Sequence, residues 1–254
     1  MDGDRKKEGV VMKQKLLFVI ESLNCAGAEK SLTTLLNLID YSKYEVDLQL
    51  FSIAGEFLEL VPEEVNILPK LDYFEYCNLP MSQCIKRVFS FTKLKMLLSR
   101  IHYSIRIRIK KGNNADKAVM FWKCCEHSFD KLPKEYDVAI AYAQGTPTFY
   151  VADKVKAKKK MAWVNTVYRP QGNTKEYNVK EYKKIQMINC VSDAVAEEFQ
   201  KDFYQFRNHI SIMYDIMDKN FILKMAKMKS NVKSDMQKGQ YKLLTVGRLD
   251  PNKG

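Results

Sequence analysis

No stretch of this sequence holds the roughly 20 consecutive apolar residues that a bilayer-spanning helix needs. The early run Leu16–Ile20 is too short for a secretory signal, and Met1–Gly9 before it is hydrophilic. A chain with neither a spanning nor a leader segment is therefore expected. Cys-x-x-Cys pairs are also missing. The six cysteines are Cys25, Cys77, Cys84, Cys124, Cys125 and Cys190, and Cys124-Cys125 with His127 lacks zinc-type spacing. These absences exclude a zinc framework and lead to an expectation of reduced thiols in a cytoplasmic setting. The G-x-G-x-x-G pattern is absent too, which leaves a dinucleotide enzyme without its usual phosphate turn. Disorder is excluded by composition, since 46% of the 254 residues are hydrophobic and 28% charged. That length suits one large α/β domain or two small ones.

Positive charge is abundant. Lys and Arg number 42 against 30 Asp and Glu, a formal charge of +12. Such an excess favours a membrane surface, a nucleic acid or a phosphate-bearing substrate. The charge is concentrated in the middle, where Lys86 to Lys123 carries eleven Lys or Arg and one acid, Asp116. Leu94, Leu97, Leu98, Ile101, Ile105 and Ile109 fall there at helical spacing, among Phe89, Phe91, Tyr103, Phe121 and Trp122. A basic amphipathic helix with aromatic flanks suits an anionic bilayer surface. The competing reading is a sheet-covering helix whose outer face happens to be basic. No RNA- or DNA-binding module is visible, so no nucleic-acid partner is expected.

Around this middle, apolar runs alternate with helical periodicity. Lys15–Glu21 is continuous, the mark of a strand buried on both faces of a parallel sheet. A small-residue turn follows, then Leu32, Leu35, Leu36 and Ile39 at helical spacing. Further strands are read at 45–51, 64–70, 137–143, 160–165, 186–191 and 209–214, and helices at 148–156, 176–185 and 193–203, the last capped by Ser192. The pattern predicts an α/β fold with a doubly wound, mostly parallel, Rossmann-like sheet. The domain spans 15–223, with a flexible 1–14 ahead of it and a basic insertion at about 84–123. A tail helix running into a linker is read over 224–241. A second domain is expected to start over 242–254, with a new buried strand at 242–249 and a turn at 250–254. The strand's lack of cover predicts that the chain is truncated within that domain.

Four segments carry candidate chemistry. The turn Cys25-Ala26-Gly27-Ala28-Glu29 precedes a helix N-terminus, where backbone N–H groups and the dipole favour an anion. Gln144-Gly145-Thr146 lies just beyond a strand end, where open α/β sheets hold ligands. Asn165 stands at the end of the next strand, able to hydrogen-bond a sugar hydroxyl. Arg248 and Lys253, five positions apart around a turn, could clamp a diphosphate. Each segment alone also reads as an ordinary turn, strand cap or charged loop.

In this order the segments resemble glycosyltransferase family 4, whose members have the two-domain GT-B fold. The likeness rests on LLFVIESLNCAGAEKSLTTLLNLI, YDVAIAYAQGTPT, KKKMAWVNT, NCVSDAVAEEF and LLTVGRLDPNKG. It implies a retaining transferase that moves a sugar from a nucleotide donor to an acceptor, and it makes the domain begun at 242–254 the nucleotide-sugar-binding one. By that resemblance Cys25, Ala26, Gly27, Ala28 and Glu29 border the donor phosphates, although Cys and Ala stand where glycines are usual. Arg248 and Lys253 map to the cations that hold the donor diphosphate and stabilise its charge as it leaves. Asn165 occupies the usual His position, and Tyr214-Asp215-Ile216 replaces the usual Tyr-Asn-Pro. Gln144, Gly145, Thr146 and Asn165 are taken as acceptor-side residues. The resemblance calls for no metal and no cofactor, the nucleotide sugar being a substrate.

The expectation is thus the N-terminal, acceptor-side half of a transferase building a cell-surface glycan. Its acceptor would be a glycan or lipid-linked, and it would sit at the cytoplasmic face, in peripheral contact with anionic membrane. Without the second half the chain is expected to be inactive. Two competitors stand beside it: a non-catalytic nucleotide- or membrane-binding module, and a different Rossmann-type enzyme using a dinucleotide.

Overall fold

The computed structural model describes residues 12–110, 112–227 and 241. The chain divides into two compact units, Met1–Met217 and Asp218–Gly254. Among the described residues of the first, seven strands form one sheet: β1 (Gln14–Ile20), β2 (Tyr44–Leu50), β3 (Val65–Ile67), β4 (Glu135–Ala141), β5 (Lys156–Val164), β6 (Met187–Cys190) and β7 (Ile210–Ile212). Their order is β3-β2-β1-β4-β5-β6-β7. Every neighbouring pair is parallel, so the expected mostly parallel sheet is parallel throughout. The first two crossovers build outward from β1 in one direction and the later ones in the other. The order therefore reverses between β1 and β4, the place where parallel sheets leave a crevice beyond their strand ends.

Strand β1 shows why its run is continuous. Leu16, Phe18 and Ile20 enter one apolar cluster with Leu32 and Leu36 of helix α1 (Gly27–Leu38). Leu17 and Val19 enter the other, on the opposite face of the sheet. Residues two apart share a face, so both alternating sets are apolar only where both faces are covered. That second cluster takes in α2 (Asp72–Cys77), α3 (Met81–Lys86), α4 (Phe91–Ile109), α5 (Asn114–Cys125), α6 (Thr146–Lys154), α7 (Asn173–Tyr182) and α8 (Asp193–Phe203). Full burial of each Leu, Val or Phe contributes about 1.5–3 kcal/mol. Ser192 caps α8 as expected, its hydroxyl accepting from the Val195 amide at 3.3 Å.

Buried charge is handled by pairing. Asp47 on β2 is 1% exposed and accepts from Tyr136 Oη at 2.6 Å, Lys134 Nζ at 2.9 Å and Asn66 Nδ2, through its other oxygen, at 2.8 Å. Burial alone would raise its carboxyl, but these three donors outweigh it and hold it below the ordinary range.

Several expected boundaries move. β5 begins at Lys156, not Lys160: its first half pairs with β4 from Glu135↔Lys156 onward, and Lys158 meets Asp137 at 2.7 Å. Helix α6 starts at Thr146, not at 148, directly after Gly145. Helix α7 starts at Asn173, three residues before the expected 176, because Gly172 at φ 50° turns the chain into it. The expected insertion at 84–123 is a set of helices, α3 through α5, of which α4 packs on α2 and α5. Leu97, read from the sequence with the apolar row of α4, is buried, whereas Leu94, Leu98, Ile101, Ile105 and Ile109 are exposed. In the second unit α9 spans Lys219–Lys227. The rest of the expected linker up to Gln240, and the expected strand and turn over 242–254 with Arg248 and Lys253, lie outside the described residues.

Candidate functional site

Beyond the C-terminal ends of β1, β2, β4 and β5 lies a cavity of about 930 Å³. Each strand delivers a short polar segment to it: Glu21 and Ser22 after β1, Ser52 after β2, Gln144–Thr146 after β4, and Thr166–Arg169 after β5. The facing wall is the start of α5, Asn113–Ala118 with Phe121, together with Tyr103 of α4 and Phe74 of α2. That wall is fixed by polar ties. Asn113 caps α5 by accepting from Asp116, and its Nδ2 donates to the Arg169 carbonyl at 2.7 Å. Asp116 returns the bond to the Asn113 amide and also accepts from the Gln171 amide at 3.3 Å.

Three of the expected acceptor residues, Gln144, Gly145 and Thr146, line this cavity. Gln144 is anchored at both ends of its amide: Oε1 accepts from the Asn165 backbone at 3.1 Å, and Nε2 donates to Thr166 Oγ1 at 2.8 Å. Gly145 has φ 84° and ψ −126°, a conformation that side chains resist. Here it lets β4 turn directly into α6 at the cavity floor. Asn165 does not line the cavity. Its Nδ2 donates to the Tyr142 carbonyl at 2.9 Å, while its Oδ1 is buried without a hydrogen-bond partner among the described residues. Its geometry is that of a brace between the ends of β4 and β5, with its amide nitrogen already engaged by the backbone.

The expected donor turn, Cys25 through Glu29, lies outside the cavity lining, although Asn24 just before it belongs to that lining. Ala26 is the N-cap of α1 and no side chain caps the helix. First-turn amides thus lack a side-chain acceptor, as a site for an incoming anion requires. Two amides of the turn are taken: Cys25 N donates to Glu56 Oε2 at 2.9 Å, and Ala26 N to the Asn24 carbonyl at 2.8 Å. Nothing lies within 4 Å of where a Cβ on Gly27 would stand, so the turn is open at that residue.

Some lining residues gave no sequence signal. Glu21 reads only as the last residue of an apolar run, yet it faces the cavity. Solvent reaches it, but the surrounding walls thin that solvent and raise its carboxyl above the ordinary 4.5, and the charge of Glu29 acts in the same sense. Lys117 of α5 and Arg169 of the β5–α7 loop add cations, the latter paired with Glu198. Lys117 lies in the basic segment 86–123, read for a membrane surface and not for a cavity, and Arg169 in a stretch with no recognisable motif. Behind the cavity, Tyr142 stacks on Trp163 with ring centroids 4.7 Å apart, and the Tyr142 and Ser31 hydroxyls are 3.0 Å apart. This buried stack fixes the strand ends from which Gln144 and Asn165 project. The site therefore offers amides, hydroxyls, one carboxylate and two cations in a concave wall that also has aromatic surface, a donor and acceptor set suited to a hydroxyl-rich or phosphate-bearing ligand.

No family model and no curated protein matches this chain. Among solved structures, HepE of Anabaena in complex with UDP and glucose is similar over 82% of this chain and 46% of its own, at 15% identity and a TM-score of 0.43. A glycosyltransferase from Rickettsia africae ESF-5 is similar over 87% of this chain and 51% of its own, at 11% identity and a TM-score of 0.41. This chain thus spans about half the length of these structures. Likeness at this level speaks to neither ligand nor reaction.

Proposed function

We propose that this chain is the acceptor-side half of a nucleotide-sugar glycosyltransferase. The single observation that carries the reading is the polar cavity at the point where a wholly parallel sheet reverses its strand order. In such sheets that crevice holds the ligand. Its lining of Gln144, Thr146, Thr166 and Glu21 suits sugar hydroxyls, and Lys117 and Arg169 suit a phosphate-linked acceptor. The resemblance of the five sequence segments to glycosyltransferase family 4 supports the same reading.

In this proposal the acceptor glycan or lipid-linked sugar lies in the cavity, with Glu21 accepting from its hydroxyls. The donor diphosphate lies against the open turn at Cys25–Glu29. As the nucleotide leaves, negative charge grows on the diphosphate while the transferred sugar gains oxocarbenium character. The α1 first-turn amides would stabilise that charge, the kind of preorganised electrostatics that dominates many catalysed transfers. For Arg248 and Lys253, outside the described residues, the diphosphate role is what the family resemblance implies. Retention of configuration and a role in cell-surface glycan synthesis at the cytoplasmic face belong to the same proposal.

The test is turnover by the whole protein across a panel of nucleotide sugars, read as nucleoside diphosphate release and as the anomeric configuration of the product. The proposal expects release that depends on an added saccharide acceptor, and a product with the donor's configuration. Residues 1–254 alone are expected to show none. Absence of release with every donor, together with saturable binding of NADH, would favour the dinucleotide reading instead.

A further inference from the structure

Helix α4 carries a feature that the cavity does not require. Phe91, Leu94, Leu98, Ile101, Ile105 and Ile109 follow one another at three- and four-residue steps, so they form one row along the helix. All six are exposed: Phe91 by 81%, Leu98 by 58%, Ile105 by 50% and Ile109 by 78%. Met96, Leu97 and Ser99 are the buried residues of the same helix, and Ser99 meets Ser128 at 2.9 Å. Helical spacing puts the exposed row opposite the face centred on Met96 and Tyr103. The amphipathic row expected from the sequence is therefore present but faces solvent, the reverse of a sheet-covering helix. Phe89, 87% exposed, and Ile85, 58% exposed, extend the apolar surface ahead of the helix.

Charge says what covers this row. Between Glu75 and Asp116 the sequence has no acidic residue and nine Lys or Arg. Lys95 and Arg106 lie to one side of the row by helical spacing, and Arg108 to the other. We propose that α4 docks this chain on an anionic lipid surface, lying in the plane of the interface. Its aliphatic row would sit at the acyl boundary and its cations among the headgroup phosphates. A second copy of the chain is disfavoured as the occupant, because a twofold contact would set these unbalanced cations against one another. Tyr103, on the inner side of the same helix, lines the cavity. Docking through α4 would thus bring the cavity close to the lipid plane. The inference stands on the exposed row and its charge, and holds whether or not the cavity handles sugars.

The experiment is sedimentation of the 254-residue chain with vesicles of phosphatidylcholine alone or mixed with phosphatidylglycerol. The chain should partition to the anionic vesicles and hardly to the neutral ones. Leu98→Ser with Ile105→Ser keeps every charge and should lower partitioning by about ten-fold or more. Lys95→Gln with Arg108→Gln should lower it as well and flatten its salt dependence. A gain-of-signal variant guards against loss of folding: the two native tryptophans, Trp122 and Trp163, are buried, so Ile105→Trp adds one exposed reporter. Its emission should shift to the blue on anionic vesicles and be quenched by brominated acyl chains. The proposal is overturned if anionic vesicles do not bind the chain, or if the serine pair leaves binding unchanged while salt abolishes it. It is also overturned if the row proves to hold a lipid-free dimer that the serine pair dissociates.

Discussion

The side-chain amide of Gln144 joins two strand ends, accepting from the Asn165 backbone at 3.1 Å while donating to Thr166 Oγ1 at 2.8 Å. One residue thereby sets the spacing of the β4 and β5 loops across the cavity mouth. Gln144→Ala leaves the Asn165 amide without this partner, a loss of about 1 kcal/mol or a little more in fold stability. The effect on acceptor handling is expected to be larger than the effect on the donor: in the whole protein, acceptor KM should rise several-fold while donor KM stays near wild type. Steady-state kinetics with each substrate varied in turn checks this.

Gly145→Ala places a side chain at φ 84°, with its Cβ 3.0 Å from the Cβ of Ala118. The strain should lower unfolding free energy by about 1–3 kcal/mol in urea melts. By contrast, Gly27→Ala meets nothing within 4 Å and has no positive φ. It should leave stability within about 1 kcal/mol of wild type. If the turn at Gly27 borders a donor phosphate, the added methyl should raise donor KM without changing the melt.

Glu21 gives a pH signature. Its carboxyl is raised above 4.5 by its crowded position first and by Glu29 second. Acceptor binding that relies on the ionised carboxylate should be present at neutral pH and fall as pH drops through this raised value, earlier than an ordinary glutamate would give. Glu21→Gln should bind more weakly at neutral pH and flatten that profile. Isothermal titration across the acidic range reads both.

Asp47 governs acid stability. Its folded value lies below the ordinary 3.8, because the donors from Lys134, Tyr136 and Asn66 outweigh burial. The stabilisation is therefore fully present above 3.8 and is lost as pH falls through the lower folded value. At neutral pH Asp47→Asn should be less stable by about 1.5–3 kcal/mol, the scale of hydrogen bonds to a charged group. The gap between the two proteins should close in acid, which denaturant melts at neutral and low pH would show.

The sheet was legible because both faces of its strands are covered. Leu16–Ile20 reads as buried from the sequence, and so it is. Helix α7 was placed late because its inward face is polar: Thr174, Asn178 and Glu181 are buried, Asn178 accepting from the Tyr168 hydroxyl at 2.8 Å. No apolar period marks such a face. The start of β5 was hidden by Lys156, Lys158, Lys159 and Lys160, which hold strand geometry through pairing with β4 and not through burial. The position of Gln144, Gly145 and Thr146 beside the cavity was legible because they follow directly on a strand end. Asn165 lies outside the cavity lining, and nothing in its local spacing foretells its bond back to the Tyr142 carbonyl. Lys117 and Arg169 reach the cavity only through tertiary ties such as that of Asn113 to the Arg169 carbonyl, and no local spacing encodes those.

Saturation-transfer NMR of the 254-residue chain with sugars and phosphate-linked saccharides reads directly whether the cavity takes a saccharide acceptor. At least one such acceptor should give a saturable signal, weakened in both Glu21→Gln and Gln144→Ala, with NADH giving none. A chain that binds no saccharide, or binds one equally well in both variants, would contradict acceptor binding in this cavity.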